Sequence, residues 1–207
     1  MARPPSDIRP RIIESARGLF LRKGVDGASL RQIAKEAGTN IGMVYYYFET
    51  KDELFLQVVE DRYAGVLARL QDIFARELPF LERVTLASAS IGELPEEEFE
   101  VMRIVFGELV RSTPERKKLV MDRFKAGHVG LMLRALTEAS GGEIDPRHPL
   151  PVALISIVGA MVLPQLIMRM AGDAAPLTLP EPAKLAEALT EVLRYGLLNH
   201  EVSPGKD

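Results

Sequence analysis

The 207 residues predict an all-α protein, and three observations carry that expectation. Apolar residues recur at helical spacing in segment after segment, no segment alternates with the two-residue period of a strand, and the breaks are rich in proline and glycine. Those breaks read "GELPEE", "STPE", "SGGEIDPRHPLP" and "GDAAPLTLPEP". No internal repeat or low-complexity tract interrupts the pattern.

The first helix is expected from about Ser6 to Lys23, with Ile12, Ala16, Leu19 and Phe20 on one face and Gly24 as its C-terminal cap. In "SLRQIAKEAG", Ser29 and Gln32 form a capping-box pattern, and Gly38 ends this short second helix. Asn40 can cap a third helix over Ile41 to Phe48. Thr50 and Glu53 form another capping box, opening a long helix to about Leu78, before Pro79. Further helices are expected at Phe80 to Ser90, Glu96 to Arg111, Pro114 to Ser140, Pro151 to Met170 and Pro182 to Asn199. The acidic run Glu96, Glu97, Glu98 suits a helical first turn, where negative charge is favourable.

Composition narrows the chemistry. Hydrophobic residues make up 47% and charged residues 27%, the balance of a soluble globular protein. There is no cysteine, so neither disulfides nor thiolate chemistry is available, and three histidines do not supply a dense metal site. No Gly-rich phosphate loop or acid-base pair stands out, so no catalytic residue, metal or cofactor is expected. The N-terminus lacks the apolar run of a secretory signal, which makes a cytoplasmic location the expectation. The net charge of -3 is unevenly spread. Residues 1–51 carry nine Lys and Arg against five acids, a net of +4, which leaves -7 for the remainder. A basic head on an acidic body suits a head that meets a polyanion.

Residues 149–168, "PLPVALISIVGAMVLPQLIM", contain no charge over twenty positions, the length of a membrane-spanning helix. Three prolines, Ser156 and Gln165 speak against a span, and a helix buried in a bundle or a dimer interface has the same composition. Pro164 removes a backbone hydrogen bond and offers a kink.

The short helices around "AKEAGTNIGMVYY" have the pattern of a helix-turn-helix, with small Ala34 at the crossing, Gly38 at the turn and Val44 facing the core. An ordinary helical hairpin would show the same pattern. Tyr45, Tyr46 and Tyr47 cannot all be core, because successive residues of a helix point about 100° apart.

The run from Ile12 to Phe55 resembles the N-terminal DNA-binding domain of the TetR family of bacterial transcriptional regulators. Phe20 to Gly24, then Ile33-Ala34-Lys35-Glu36-Ala37-Gly38, then Tyr45 to Leu54 with Phe48, Lys51 and Leu54, follow the family's order and spacing. Departures are Thr39 after the turn glycine, Asn40 in place of a Ser or Thr cap, and apolar Ile41 and Met43 on the recognition helix. The resemblance implies a helix-turn-helix domain over residues 1–51, a larger helical effector-binding and dimerisation domain over 52–200, and a disordered tail over 201–207. It also implies that Tyr45, Tyr46 and Lys51 contact DNA phosphates, while Arg31, Gln32, Thr39, Asn40, Gly42 and Met43 face the bases. Tyr47 would then pack beside Phe48.

The implied partners are a double-stranded, palindromic DNA operator, a second copy of the chain and a small-molecule effector of unknown identity that releases a repressor. Dimerisation is expected through the last two long helices, the second bearing the stripe Leu185, Leu189, Val192, Leu193 and Leu197. Candidate effector contacts are Met102, Arg103, Phe106, Met121, His128, Met132, Met161 and Gln165. Methionine adapts to irregular shapes, so these can line a cavity or simply fill core. The competing functions are a helical enzyme that binds small molecules and a membrane-associated adaptor.

Overall fold

A computed structural model describes residues 7–141, 144–145, 147–172 and 178–197. Ten helices occur among them: α1 (Ile8–Gly27), α2 (Leu30–Glu36), α3 (Ile41–Tyr47), α4 (Lys51–Phe74), α5 (Phe80–Gly92), α6 (Glu96–Arg111), α7 (Pro114–Ala126), α8 (His128–Ala139), α9 (Leu150–Ala171) and α10 (Pro182–Leu197). They fall into two compact units, Met1–Gly65 with Pro95–Arg123, and Val66–Leu94 with Phe124–Asp207. The expected N-terminal domain lies wholly inside the first unit, which also takes in α6 and most of α7. The expected tail, 201–207, is outside the described residues.

In the first unit the apolar faces of α1, α2, α3 and the start of α4 close on one core. Ile12, Ala16, Leu19, Ile33, Val44, Phe48, Leu54 and Phe55 are all at most 3% exposed. The rings of Phe20 and Phe55 meet edge to face at 6.2 Å. Gly24 leaves the helical conformation at φ 71°, so α1 bends there and runs on to Gly27. This unit also holds an ion cluster centred on buried Arg116 and Glu108. The Arg116 guanidinium donates to Asp52 at 2.8 Å, to Asp26 at 2.8 Å and to Glu108 at 3.0 Å. Burial works against its charge, but the hydrogen bonds to Asp52, Asp26 and Glu108 outweigh that and hold its pKa above the ordinary arginine value. Four elements, α1, α4, α6 and α7, thereby meet at one side chain.

The second unit packs α10 on α5 and α9, and α8 on α9. Phe80, Leu81, Val84, Leu136, Ile157 and Ala186 fill its interior. The Thr85 hydroxyl donates to Thr190 at 2.9 Å and ties α5 to α10. Residues 114–140, expected as one helix, form two: the chain breaks at Gly127, whose φ and ψ are -91° and -123°. Gly130 completes the break, because a Cβ there would lie 2.4 Å from the Lys125 carbonyl oxygen. The long helix expected to reach Leu78 stops at Phe74.

The apolar segment over 149–168 becomes α9, which is by length and composition sufficient to cross a membrane. One such helix is equally the mark of a soluble core helix. It buries Ala153, Ile157, Met161 and Gln165 along one side, and Leu166 apart from them. On the other, Val152, Ile155, Leu163, Ile167 and Met170 are 49 to 72% exposed and recur at intervals that keep them on one face. On α10, Val192 is 72% exposed, as a stripe facing a second copy would be, and so is Tyr195, whereas Leu185 is buried within the unit. The side chain of Leu197 lies outside those described.

Candidate nucleic-acid interface

Each short helix is started by the residue its sequence nominates. The Ser29 hydroxyl accepts from the Gln32 amide at 3.2 Å while the Gln32 side chain accepts from the Ser29 amide at 3.2 Å, completing the capping box of α2. The Asn40 side-chain oxygen accepts from the Met43 amide at 3.0 Å and caps α3. Between the two helices Gly38 sits at φ 63°, the left-handed conformation that a turn of this kind demands. The α4 start departs from the expected box. Thr50 accepts from the Glu53 amide at 3.0 Å, but the Glu53 carboxylate reaches one residue further back, to the Glu49 amide at 2.7 Å.

This arrangement fixes the directions of α3. Val44 is 0% and Phe48 1% exposed, whereas Tyr45 and Tyr46 are 54% and 66% exposed. Tyr47 is half-buried, its ring edge-on to Tyr46 at 5.0 Å and tilted to Phe48 at 6.4 Å. Arg31, Gln32, Asn40 and Gly42 are exposed, and Thr39 and Met43 are half-buried. All nine residues expected to meet DNA therefore belong to one compact unit. Gly42 has a packing reason as well: a Cβ there would lie 3.1 Å from the capping oxygen of Asn40.

Lys51 is placed in a way the spacing does not anticipate. Its ammonium donates to the carbonyls of Ala28 at 3.3 Å and Asp26 at 3.4 Å, and lies 4.0 Å from the Asp26 carboxylate. It thus holds the α1–α2 corner, with about a quarter of its side chain exposed.

Two arginines on α1 escape a reading by periodicity. The Arg11 guanidinium donates to the carbonyl of Ala37 and, at 3.3 Å, to that of Gly38, so it clasps the turn that orients α3. Arg9 lies 5.6 Å over the Phe48 ring and donates to Gln57. Neither contact has a signal in spacing, since each joins residues more than 25 positions apart.

The residues expected to bind an effector divide between the units: Met102, Arg103, Phe106 and Met121 in the first, His128, Met132, Met161 and Gln165 in the second. Met121 is 50% exposed, while Met132 and Met161 are core. Gln165 lines a cavity of about 520 Å³ in the second unit with Gly92, Met168 and Leu185, and its buried amide nitrogen has no hydrogen-bond partner. Arg103 lines a separate cavity in the first unit. The other six line neither cavity.

Comparison with known proteins agrees with this geometry. The model of the family described as "Bacterial regulatory proteins, tetR family" matches residues 12–58, which contain α2, α3 and the turn between them. The HTH-type transcriptional regulator PksA of Bacillus subtilis is 33% identical over 123 residues, 59% of this chain and 58% of that protein. The HTH-type transcriptional repressor AcnR of Corynebacterium efficiens is 25% identical over 186 residues, 88% of this chain and 92% of that one. The first relatives are thus matched over little more than half their length or less. Among solved structures, the transcriptional regulator FadR from Bacillus subtilis, in complex with stearoyl-CoA, has a TM-score of 0.74 at 20% identity, covering 90% of this chain and 98% of that one. The likeness extends the shared fold to nearly the whole length.

Proposed function

We propose, from the premise that the chain belongs to the TetR family of bacterial regulatory proteins, that it is a DNA-binding transcriptional regulator of the repressor type. In this reading, a homodimer binds a palindromic operator and a small molecule releases it. The observation that carries this proposal is the outward direction of Tyr45 and Tyr46 on an Asn40-capped α3, behind a turn set by Gly38. An α-helix fits the major groove, and exposed phenols at its flank can donate to phosphates without a charge. Phosphate contacts fall to Tyr45, Tyr46 and Lys51, and base contacts to Arg31, Gln32, Thr39, Asn40, Gly42 and Met43. Residues 1–51 act as the DNA-binding domain and 52–200 as the effector and dimerisation domain, in the cytoplasm and without catalysis.

One recognition helix buries too little surface to be selective, so two copies are needed, reading half-sites about 34 Å apart. The apolar faces of α9 and α10, with Ile155 and Val192 both 72% exposed, are the surface that fits a second copy. For the effector, the support is strongest at Gln165, whose unpaired buried donor calls for an acceptor. By linkage, an effector that weakens DNA binding is itself bound more weakly by the DNA complex, by the same factor.

Selection from random DNA tests the assignment. The expected product is an inverted repeat whose half-sites lie one helical turn apart. Enrichment of no sequence, with binding that depends on salt alone, would overturn it.

A further inference from the structure

The first unit contains a cavity of about 480 Å³ between α1 and α6, lined by Arg17, Arg22, Arg103 and Arg111 and by Glu100 and Glu108. Its size is that of a small-ligand site. What decides the ligand chemistry is the balance of hydrogen-bonding groups. Both Glu108 oxygens are engaged, one by the Val25 amide at 3.3 Å and the other by Arg116 at 3.0 Å. Both Glu100 oxygens are engaged as well, one by Arg17 and the other by Arg103 at 3.5 Å.

The arginines are not used up in the same way. Arg103 pairs through one terminal nitrogen with Glu96 and Glu100, but its Nε is buried without a partner. Arg111 has no acid partner among the described residues, and its guanidinium lies over Gly107 and towards Gly24 of α1. The cavity therefore offers an unsatisfied donor and an arginine with no acid partner, while each oxygen of its own carboxylates already faces a donor. A buried N–H without an acceptor is costly, so a ligand that brings an acceptor is favoured there.

Arg103 and Arg111 stand eight residues apart on α6, about 12 Å along the helix, with Gly107 between them on nearly the same side. A Cβ at Gly107 would lie 2.8 Å from a terminal nitrogen of Arg111. The glycine thus leaves the space in which that guanidinium rests. Two planar donor forks on one groove, with Leu21 and Ile104 beside them, match an oxyanion on a compact organic body.

We infer that this α1–α6 cavity is a second ligand site, distinct from the one proposed around Gln165, and that it takes a small phosphorylated metabolite held by Arg103 and Arg111. Bound there, the ligand joins a helix of the DNA-binding domain to α6.

The test uses the full-length protein and inorganic pyrophosphate as probe, measured by titration calorimetry at constant ionic strength, with succinate as the carboxylate counterpart. Saturable binding of one pyrophosphate per chain is expected, at least tenfold weaker in Arg111→Ala and in Arg103→Gln. Gly107→Ala provides a variant that keeps every charge and improves helix propensity, so its thermal stability is expected to be unchanged or raised while pyrophosphate binds at least threefold more weakly. Absence of saturable binding, or affinity in Arg111→Ala or Gly107→Ala equal to that of the parent chain, would overturn the site. Succinate binding as tightly as pyrophosphate would overturn the phosphate assignment.

Discussion

Gly38 is the residue on which the turn between α2 and α3 depends. Its φ of 63° is cheap for glycine and costs an alanine about 1–2 kcal/mol, and a Cβ would stand 2.5 Å from the Arg11 guanidinium that clasps the same turn. Gly38→Ala is expected to lose about that much stability in urea unfolding and to weaken operator binding beyond the loss in folded protein. Lys51 bears on the same scale: its ammonium serves the Ala28 and Asp26 carbonyls, and the proposed phosphate contact would have to draw it from that corner. Lys51→Ala is expected to weaken binding to all DNA alike and to lower the slope of log affinity against log salt by about one. An unchanged slope with lowered stability would confine Lys51 to the α1–α2 corner.

At the scale of elements, the caps were legible and the long-range clasps were not. Ser29, Gln32 and Asn40 act within four residues of their partners, so their chemistry is written in local spacing. Arg116 gathers Asp26, Asp52 and Glu108 from across 90 positions, and nothing in periodicity announces such a meeting. The α7–α8 break was missed for a different reason. A single glycine is tolerated within a helical pattern, so Gly127 alone did not interrupt the apolar period, and the need for Gly130 appears only when the Lys125 carbonyl is in place. That break puts His128 at the start of α8, its ring 4.8 Å from Phe124.

Burial lowers the His128 pKa from 6.5 to about 4, with a consequence for stability. Since the folded state disfavours the proton, its contribution is complete above pH 6.5 and is lost as pH falls from 6.5 towards 4. The loss is about 3 kcal/mol by the bottom of that window. His128→Gln cannot take up the proton, and its urea midpoint is expected to fall less between pH 7 and pH 4.5 than that of the parent protein. Parallel curves for the two would show that other groups carry the acid sensitivity.

For the whole molecule, an exposed apolar face must be reconciled with the proposed role of a DNA-binding regulator. Ile155, Leu163 and Ile167 on α9 and Val192 on α10 present side chains that a monomer would leave in water. Their composition, read along the chain, was compatible with a membrane span, a core helix or an interface, because composition does not record direction. Only the division of α9 into a buried and an exposed side favours the third. Placing a charge on that face separates folding from association. Ile155→Glu and Val192→Glu replace side chains that already face solvent, so each protomer is expected to keep its helical content, while a carboxylate buried at a two-fold contact meets its own copy and is strongly disfavoured. Sedimentation at micromolar concentration is expected to give a dimer for the parent chain and a monomer for the double variant. Operator binding is expected to fall by at least a hundredfold, since each monomer retains α3 but reads only one half-site. A parent chain that sediments as a monomer, or a double variant that remains dimeric, would remove α9 and α10 from the interface and require the two recognition helices to be paired by another surface.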